Sequence, residues 1–216
     1  MAKVSELLNG YKRFYKYHFL GENRLYEKLA TGQSPKTLVI ACSDSRVDPA
    51  ILTDANPGDI FVIRNVANLV PPYQPDNTTY HGTSAALEFA VNGVGVEHIV
   101  VLGHSGCAGI QTLVDMDPKA DITSAEPFSF VKKWVSIAAK AKENAEHKCN
   151  DANKLPSCCE QESIRSSLDN LLTFPWVRQR LEDGTLEIHG WYFTIHDGAL
   201  HVLDKESNTF NAVPHI

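Results

Sequence analysis

Short apolar runs recur along the chain and predict the strands of a buried sheet. Residues 59–64 predict one strand, and two further runs, 36–41 and 98–103, are almost continuously apolar and rich in Val and Ile. Runs of this length and composition are typical of parallel strands that are covered on both faces. Near the C-terminus, residues 185–195 and 199–203 flank a tight turn and predict a β-hairpin. The hairpin would add an antiparallel edge to a mostly parallel sheet.

Between these runs, apolar residues recur every three or four positions, which predicts helices that alternate with the strands. The predicted helical segments are residues 1–32, a helix that starts at Asp48-Pro49, residues 81–94, 128–148 and 160–172, and a short continuation to Leu181. Gly10, Gly21 and Gly32 are expected to divide the first segment into separate helices. Strands that alternate with helices indicate an α/β fold with right-handed crossover connections.

Length and composition favour one globular domain. The chain has 216 residues, enough for a substantial core, and shows no internal repeat, low-complexity segment or linker. We therefore expect a single domain over residues 1–216, with N-terminal helices over 1–32 and an α/β core over 33–216. The core should be a mostly parallel central β-sheet with flanking helices and an antiparallel C-terminal edge strand.

Charge and hydropathy exclude several functional classes. The formal net charge is -6 and basic residues are scattered, which argues against a nucleic-acid partner. No stretch approaches the ~20 apolar residues that span a bilayer, so no membrane partner is expected. The N-terminus lacks the pattern of a secretory signal. We expect a cytoplasmic protein; an organellar protein whose transit peptide has been removed is the alternative.

Two short motifs directly follow predicted strands. The sequence CSDSR occupies 42–46, after the first apolar run, and HSGC occupies 104–107, after the third. The carboxyl ends of parallel strands meet at one edge of a sheet, where ligand sites of open α/β folds form. Cys42, His104 and Cys107 are three protein ligands for zinc, and they leave a fourth position for water or substrate, as in catalytic zinc sites. The sequence therefore predicts a zinc enzyme.

Asp44 and Arg46 can serve the same site. Two thiolates make zinc a weaker Lewis acid than three histidines do, since their charge offsets that of the metal. Held bidentately by Arg46, the Asp44 carboxylate would stay ionised and could orient the nucleophile. Released from Arg46, it could bind the metal itself. The alternative is a capping residue with a surface salt bridge at the turn after the strand.

These motifs resemble the signature of the β-class carbonic anhydrases, which is Cys-x-Asp-x-Arg followed by His-x-x-Cys. Other parts of the chain are similar to the family in order and spacing: Gln33 and residues 64–68, 80–89 and 103–107. The resemblance implies one Zn²⁺ per chain, bound by Cys42, His104 and Cys107, and reversible hydration of CO₂ to bicarbonate and a proton by attack of zinc-bound hydroxide. It also implies an open state, with Asp44 on Arg46, and a closed state, with Asp44 on the metal.

Resemblance to the plant-like branch of the family also nominates residues that contact the substrate. They are expected to line a narrow, largely apolar pocket: Gln33, Phe61, Val66, Phe89 and Gly106. The amide of Gln33 would hydrogen-bond the developing bicarbonate, whereas Phe89 replaces a tyrosine that is common there and brings no hydroxyl. The family implies a homodimer, often doubled to a homotetramer, with active sites at the dimer interface and some pocket residues from the second subunit.

One departure from related sequences predicts a difference in regulation. Family members that bicarbonate shuts off carry tryptophan and glycine where this chain has Val39 and Ala41. Those residues help to form a non-catalytic bicarbonate pocket. We therefore expect that this chain belongs to the branch that bicarbonate does not inhibit.

Two rival functions share the same metal site. The family architecture also hosts hydrolases of CS₂ or COS, which differ mainly in how the substrate reaches the zinc. The other rival is a non-catalytic scaffold in which Asp44 stays on the metal. Because every catalytic residue is present, CO₂ hydration is the favoured interpretation.

The remaining cysteines lie in a polar stretch, residues 143–162. Cys149, Cys158 and Cys159 lack the spacing of a zinc finger, and we expect reduced thiols at the surface. The alternative is a redox-active pair formed by Cys158 and Cys159.

Overall fold

The computed structural model of the chain describes residues 3–20, 25–75, 80–117 and 127–214. Within these ranges, six strands form one sheet. The strands are β1 (Thr37–Cys42), β2 (Ile60–Asn65), β3 (His98–His104), β4 (Glu187–Phe193), β5 (Leu200–Asp204) and β6 (Thr209–Ala212).

The sheet is mostly parallel with an antiparallel edge, as predicted. The strand order is β2-β1-β3-β4-β5-β6; the first four strands are parallel, and β5 and β6 each run antiparallel to the preceding strand. The pattern does not predict β6, because its single large apolar residue, Phe210, gives no alternation to recognise.

Helices flank the sheet and precede it. They are α1 (Val4–His18), α2 (Leu25–Leu29), α3 (Pro49–Thr53), α4 (Gly82–Glu88), α5 (Ala108–Asp115), α6 (Ser129–Val135), α7 (Ala139–Lys148), α8 (Leu155–Leu171) and α9 (Pro175–Glu182). Phe89–Val94 continues α4 as a π-helix. The start predicted at Asp48-Pro49 is confirmed, because the Asp48 carboxylate accepts hydrogen bonds from two backbone N–H groups of α3.

Some helix boundaries differ from the prediction. Gly10 lies inside α1 and does not end it, since a glycine in an exposed helix interior costs only about 1 kcal/mol. Gly21 lies outside the described residues, and Gly32 follows α2. Residues 128–148 form two helices rather than one, because a 3₁₀ turn at Ser136–Ala138 separates them.

Helix α8 begins at Leu155, earlier than predicted, so two of the remaining cysteines are helical. Cys158 forms a disulfide with Cys149, with their Cα atoms 6.6 Å apart. Successive helical residues are rotated by about 100°, so Cys159 turns away from this bond. It is buried, and burial raises the pKa of its thiol to about 12. The expectation of reduced surface thiols is therefore wrong, and Cys158 pairs with Cys149 rather than with Cys159.

Strand β1 is buried on both faces, which explains its continuous apolar run. Leu38 and Ile40 pack on one face against a cluster that includes Ile164 of α8. Val39 and Ala41 pack on the opposite face with residues of β3. Full burial of a side chain of this kind contributes about 1.5–3 kcal/mol, so the centre of the sheet is a rigid base for the residues at its edges.

Helix α1 presents a row of exposed apolar side chains. No residue of Val4–His18 is buried, and Val4, Leu7 and Tyr11 are 73%, 64% and 60% exposed. A contiguous apolar surface of this kind usually marks an interaction site. None of the helices within the described ranges combines the length and apolar character that a membrane span requires.

Candidate metal centre

Three potential metal ligands meet at the carboxyl edge of the sheet. β1 ends at Cys42 and its parallel neighbour β3 ends at His104, while Cys107 directly precedes α5. Their ligand atoms lie within 4.8 Å of one another, and the two sulfur atoms are 3.9 Å apart. All three residues are buried. The structure thus brings the two sequence motifs together in one enclosed group.

Two glycines shape the backbone around this group. Gly106 has a φ of 66°, a left-handed conformation that side chains with a Cβ rarely adopt, and it turns the chain between His104 and Cys107. Gly109 allows α5 to approach the 3₁₀ turn at Val66–Asn68, because a Cβ there would lie 2.7 Å from Cγ1 of Val66. The turn and the close approach together fix where Cys107 lies.

The two thiols are tightly coupled. A hydrogen bond from Cys107 lowers the pKa of Cys42, and the same contact with Cys42 raises the pKa of Cys107. Both shifts arise from the one contact between the two sulfur atoms. A divalent cation would let both become thiolates, since its charge offsets theirs.

His104 offers one free ring nitrogen. Its Nδ1 donates a hydrogen bond to the carbonyl oxygen of Ser105 at 3.0 Å, which fixes the tautomer and the ring orientation. Its Nε2 is fully buried and has no hydrogen-bond partner within the described part of the chain. A buried nitrogen of this kind is costly unless a ligand satisfies it.

The donor set fits zinc. Two sulfurs and one imidazole nitrogen converge on one point, and the soft-to-borderline character of these ligands matches Zn²⁺. A divalent ion among these atoms would satisfy the unpartnered Nε2 of His104 and would be bound by both sulfur atoms. Three protein ligands leave a fourth position for water or substrate.

Asp44 and Arg46 form a bidentate ion pair beside the ligands. Nε and Nη2 of Arg46 donate to the two carboxylate oxygens of Asp44 at 2.9 and 2.7 Å. These hydrogen bonds hold the pKa of Asp44 well below its usual range. Nη2 of Arg46 also donates to the carbonyl oxygen of Gly106 at 3.1 Å, which ties the first motif to the second. Asp44 is therefore ionised, and it is held by Arg46.

Sequence reasoning misses a buried carboxylate behind the ligands. Glu160, on α8, accepts hydrogen bonds from the backbone N–H of Cys107 at 3.0 Å and from the hydroxyl of Tyr192 at 2.7 Å. Burial raises the pKa of Glu160. Its place in a polar helix, 53 residues from Cys107, gives no signal in the sequence. The contact anchors the turn that carries Cys107.

Arg64 braces the first motif from the edge strand β2. Its guanidinium donates to the carbonyl oxygens of Cys42 at 3.0 Å and Asp44 at 2.6 Å. It also forms an ion pair with Asp48 at 2.9 Å. The sequence singles out Arg64 only as part of a family-like segment, because its contacts depend on the pairing of β1 with β2.

Two of the predicted pocket residues lie beside the ligands. Val66 follows β2 and is 38% exposed, and its carbonyl oxygen accepts a hydrogen bond from Trp134 at 2.7 Å. Gly106 lies within the second motif and accepts the hydrogen bond from Arg46. Both residues are at the carboxyl edge of the sheet.

The other three predicted pocket residues lie elsewhere in the same chain. Phe61 is the register partner of Leu38 at the start of β1, about four residues or ~13 Å along the sheet from the level of Cys42. The rings of Phe61 and Phe89 are in contact, with centroids 6.0 Å apart. Gln33 lines a separate cavity beneath the N-terminal helices, with Tyr26 among its neighbours. A single chain therefore holds the pocket residues in separate places.

Comparison with known proteins shows the family of the chain. The family model described as carbonic anhydrase matches residues 37–200. The chain is 42% identical over 186 residues to the chloroplastic beta carbonic anhydrase 5 of Arabidopsis thaliana, covering 85% of this chain and 59% of that protein. It is 36% identical over 208 residues to beta carbonic anhydrase 3 of the same plant, covering 95% and 79%. The chain thus spans less than two thirds of the length of the first of these relatives.

Solved structures resemble the fold closely. The beta-carbonic anhydrase CcaA superposes with a TM-score of 0.86 at 32% identity, covering 98% of this chain and all of that one. A beta-carbonic anhydrase from Sordaria macrospora, described as tetrameric, gives a TM-score of 0.78 at 27% identity and covers 93% and 96%. Since the family model matches well over half of the sequence, the chain belongs to the β-carbonic anhydrase family.

Proposed function

We propose that this chain catalyses the reversible hydration of CO₂ to bicarbonate and a proton, with one zinc ion held by Cys42, His104 and Cys107. The observation that carries the proposal is the buried convergence of these ligands beside an ionised Asp44. When bound, zinc lowers the pKa of water toward neutrality and so makes a nucleophile available at ordinary pH.

The residues around the ligands orient the group that attacks CO₂ and hold the backbone of the site in place. The Asp44 carboxylate accepts a hydrogen bond from the attacking hydroxyl group and thereby aims its lone pair at the carbon of CO₂. Arg46 keeps that carboxylate ionised and in place through its bidentate contact. Glu160 and Arg64 hold the backbone of the two motifs, so the geometry is set before the substrate arrives.

A second copy of the chain completes the pocket in this proposal. Val66 and Gly106 lie beside the ligands, whereas Gln33, Phe61 and Phe89 lie apart from them within one chain. Phe89 is 55% exposed and the apolar side chains of α1 are exposed as well, which supports a homodimer that brings these residues to a partner's site. The family relative described as tetrameric supports a homotetramer as the larger assembly.

Reconstitution with zinc tests the reaction. Protein stripped of metal should show no CO₂ hydration, and activity should rise in proportion to added zinc and level off at one ion per chain. Stopped-flow measurement of CO₂ hydration, with zinc content determined on the same samples, checks this. Fully loaded protein without CO₂ hydration at any pH would overturn the proposal, and CS₂ and COS would then be tested as substrates.

Subunit mixing tests the shared pocket. A Cys42→Ser chain lacks a metal ligand, and a Gln33→Ala chain lacks the proposed amide contact. When the two are co-expressed with different tags, each heterodimer should contain one complete site and recover activity that neither variant has alone. Heterodimers no more active than the Gln33→Ala homodimer would show that Gln33 does not act across the interface.

A further inference from the structure

A second group of metal-ligating side chains lies at the opposite, amino edge of the sheet. β3 begins at His98 and β4 begins at Glu187, and these two residues are register partners in the parallel pair. His189 follows Glu187 by two positions, so its side chain is on the same face of β4. The pairing of the two strands therefore brings two imidazoles and one carboxylate together.

The separations of the ligand atoms resemble those of a metal site. Nε2 of His189 is 3.4 Å from Nδ1 of His98 and 3.6 Å from Oε2 of Glu187. All three ligand atoms lie within 4.8 Å of one another. In a tetrahedral site with ligands ~2.0–2.2 Å from zinc, two ligand atoms are about 3.3 Å apart. Small side-chain rotations would complete such a site.

Direct contacts between these side chains explain their convergence poorly. Both separations from Nε2 of His189 exceed the usual hydrogen-bond distance of ~2.7–3.2 Å. Burial lowers the pKa of His189, and the charge of Lys205 acts in the same direction. Neutral imidazole is the form of histidine that binds metals.

We propose that His98, Glu187 and His189 bind one divalent transition-metal ion of the zinc type. Imidazole and carboxylate ligands suit Co²⁺, Ni²⁺ and Zn²⁺, and two histidines with one glutamate also hold zinc in some enzymes. The side chains of Glu187 and His189 are 62% and 29% exposed, so water completes the coordination. An open site of this kind binds metal more weakly than the buried cysteine site does.

The charges around the group are nearly balanced. The Glu187 carboxylate offsets one of the two metal charges. Lys36 and Glu97 form an ion pair at 2.6 Å next to His98, and Lys205 adds a positive charge near His189. The surroundings therefore neither exclude a divalent cation nor attract one strongly.

This site is independent of the proposed catalytic centre. His98 and His104 lie at opposite ends of β3, about six residues or ~20 Å apart. An ion at the amino edge would join the starts of β3 and β4 and would stabilise the fold, because it binds the folded chain and not the unfolded one. The proposal does not rest on the hydration of CO₂.

Metal binding to the zinc-loaded protein tests the proposal. Protein that holds one zinc ion per chain is dialysed against micromolar free Zn²⁺, and its metal content is measured by mass spectrometry. Co²⁺ is added to a parallel sample, because cobalt bound by nitrogen and oxygen lacks the sulfur charge-transfer absorption of the cysteine site. His189→Gln and His98→Gln each remove a ligand, and His147→Gln, an exposed histidine of α7, is the matched control.

The wild-type chain and His147→Gln should bind a second zinc ion, and its affinity should fall at least tenfold in His189→Gln and in His98→Gln. The cobalt sample should show ligand-field bands without sulfur charge transfer, and the melting temperature should rise only in proteins that bind the second ion. A zinc content that stays at one per chain would overturn the proposal. So would a second ion that all three variants bind equally well.

Discussion

The two ends of strand β3 carry histidines in contrasting surroundings. His104, at the carboxyl end, is 1% exposed and lies among two buried cysteines, with its Nδ1 fixed by a carbonyl oxygen. His98, at the amino end, is partly exposed and lies beside another histidine and an exposed glutamate. In the two proposals above, burial and sulfur ligands make the first group a tightly binding metal site, whereas exposure and harder ligands make the second an exchangeable one.

The comparison also shows how differently the two groups are encoded. The carboxyl-end ligands lie in two compact motifs that follow apolar runs, so the sequence displays them. The amino-end ligands come together only because β3 pairs with β4. In that pairing His98 lies opposite Glu187, which is 89 residues away in sequence. Position along the chain alone does not indicate that His98 and His189 meet.

The largest difference in activity is expected between variants that lose one ligand at either end of β3. Cys107→Ser should release zinc from the carboxyl end and abolish CO₂ hydration, because two ligands cannot hold the ion in its geometry. His189→Gln, at the other end, should leave hydration at the wild-type rate. Zinc content and stopped-flow rates of both variants check this. Wild-type activity in Cys107→Ser would contradict the assignment of the ligand.

Loss of Glu160, which supports the turn at the carboxyl end, is expected to weaken zinc binding less than loss of a ligand does. Glu160→Ala would leave the buried N–H of Cys107 and the hydroxyl of Tyr192 without a partner, at about 1–3 kcal/mol for each group. Loss of such a contact should weaken zinc affinity roughly 10- to 100-fold. Competition with a zinc chelator measures the affinity, and the exposed Glu182→Ala serves as control. Equal affinities in the two variants would show that Glu160 does not anchor the site.

Backbone packing near the carboxyl end is expected to have a smaller effect. Gly109→Ala places a Cβ 2.7 Å from Val66 and 3.0 Å from Cβ of Ala67, and such overpacking costs about 1–3 kcal/mol. Gly10→Ala, in the open surface of α1, should instead stabilise the fold by up to ~1 kcal/mol. Urea unfolding of the zinc-loaded variants measures both changes. A Gly109→Ala variant as stable as the wild type would mean that α5 can shift without cost.

Bicarbonate is expected to have no regulatory effect. Val39 and Ala41 are buried on one face of the sheet, next to side chains of β3 on the same face. Arg64, which extends from the neighbouring strand β2, donates to Cys42, Asp44 and Asp48. Hydration rates measured with rising bicarbonate should show simple product inhibition. A cooperative loss of activity would contradict this prediction.

Much of the fold follows from local patterns. The apolar runs of β1 and β3 are visible because these strands are buried on both faces, whereas β2 is an edge strand in which Val62 and Arg64 are exposed. Asp48 with Pro49 encodes its helix start locally. The early start of α8 is harder to predict, because Leu155 is the one large apolar residue in its first turn. Strand β6 has too few residues to show a period.

The candidate site is predictable only in part, because some of its residues are neighbours in sequence and others meet only in the folded chain. Cys42, His104 and Cys107 stand in recognisable motifs, and Asp44 and Arg46 are their close neighbours in sequence. Glu160 and Tyr192 reach the site through the packing of α8 against the sheet, and no spacing rule links them to Cys107. The disulfide of Cys149 with Cys158 likewise depends on where α8 begins.

Stopped-flow CO₂ hydration by wild-type and Asp44→Asn protein, each at one zinc per chain and across pH 6.5 to about 9, tests the central claim most directly. The account predicts wild-type activity that rises with pH, and a variant that keeps its zinc but loses most of that activity because its amide cannot act as the ionised carboxylate does. A zinc-loaded wild type without activity, or a variant as active as the wild type, would contradict it.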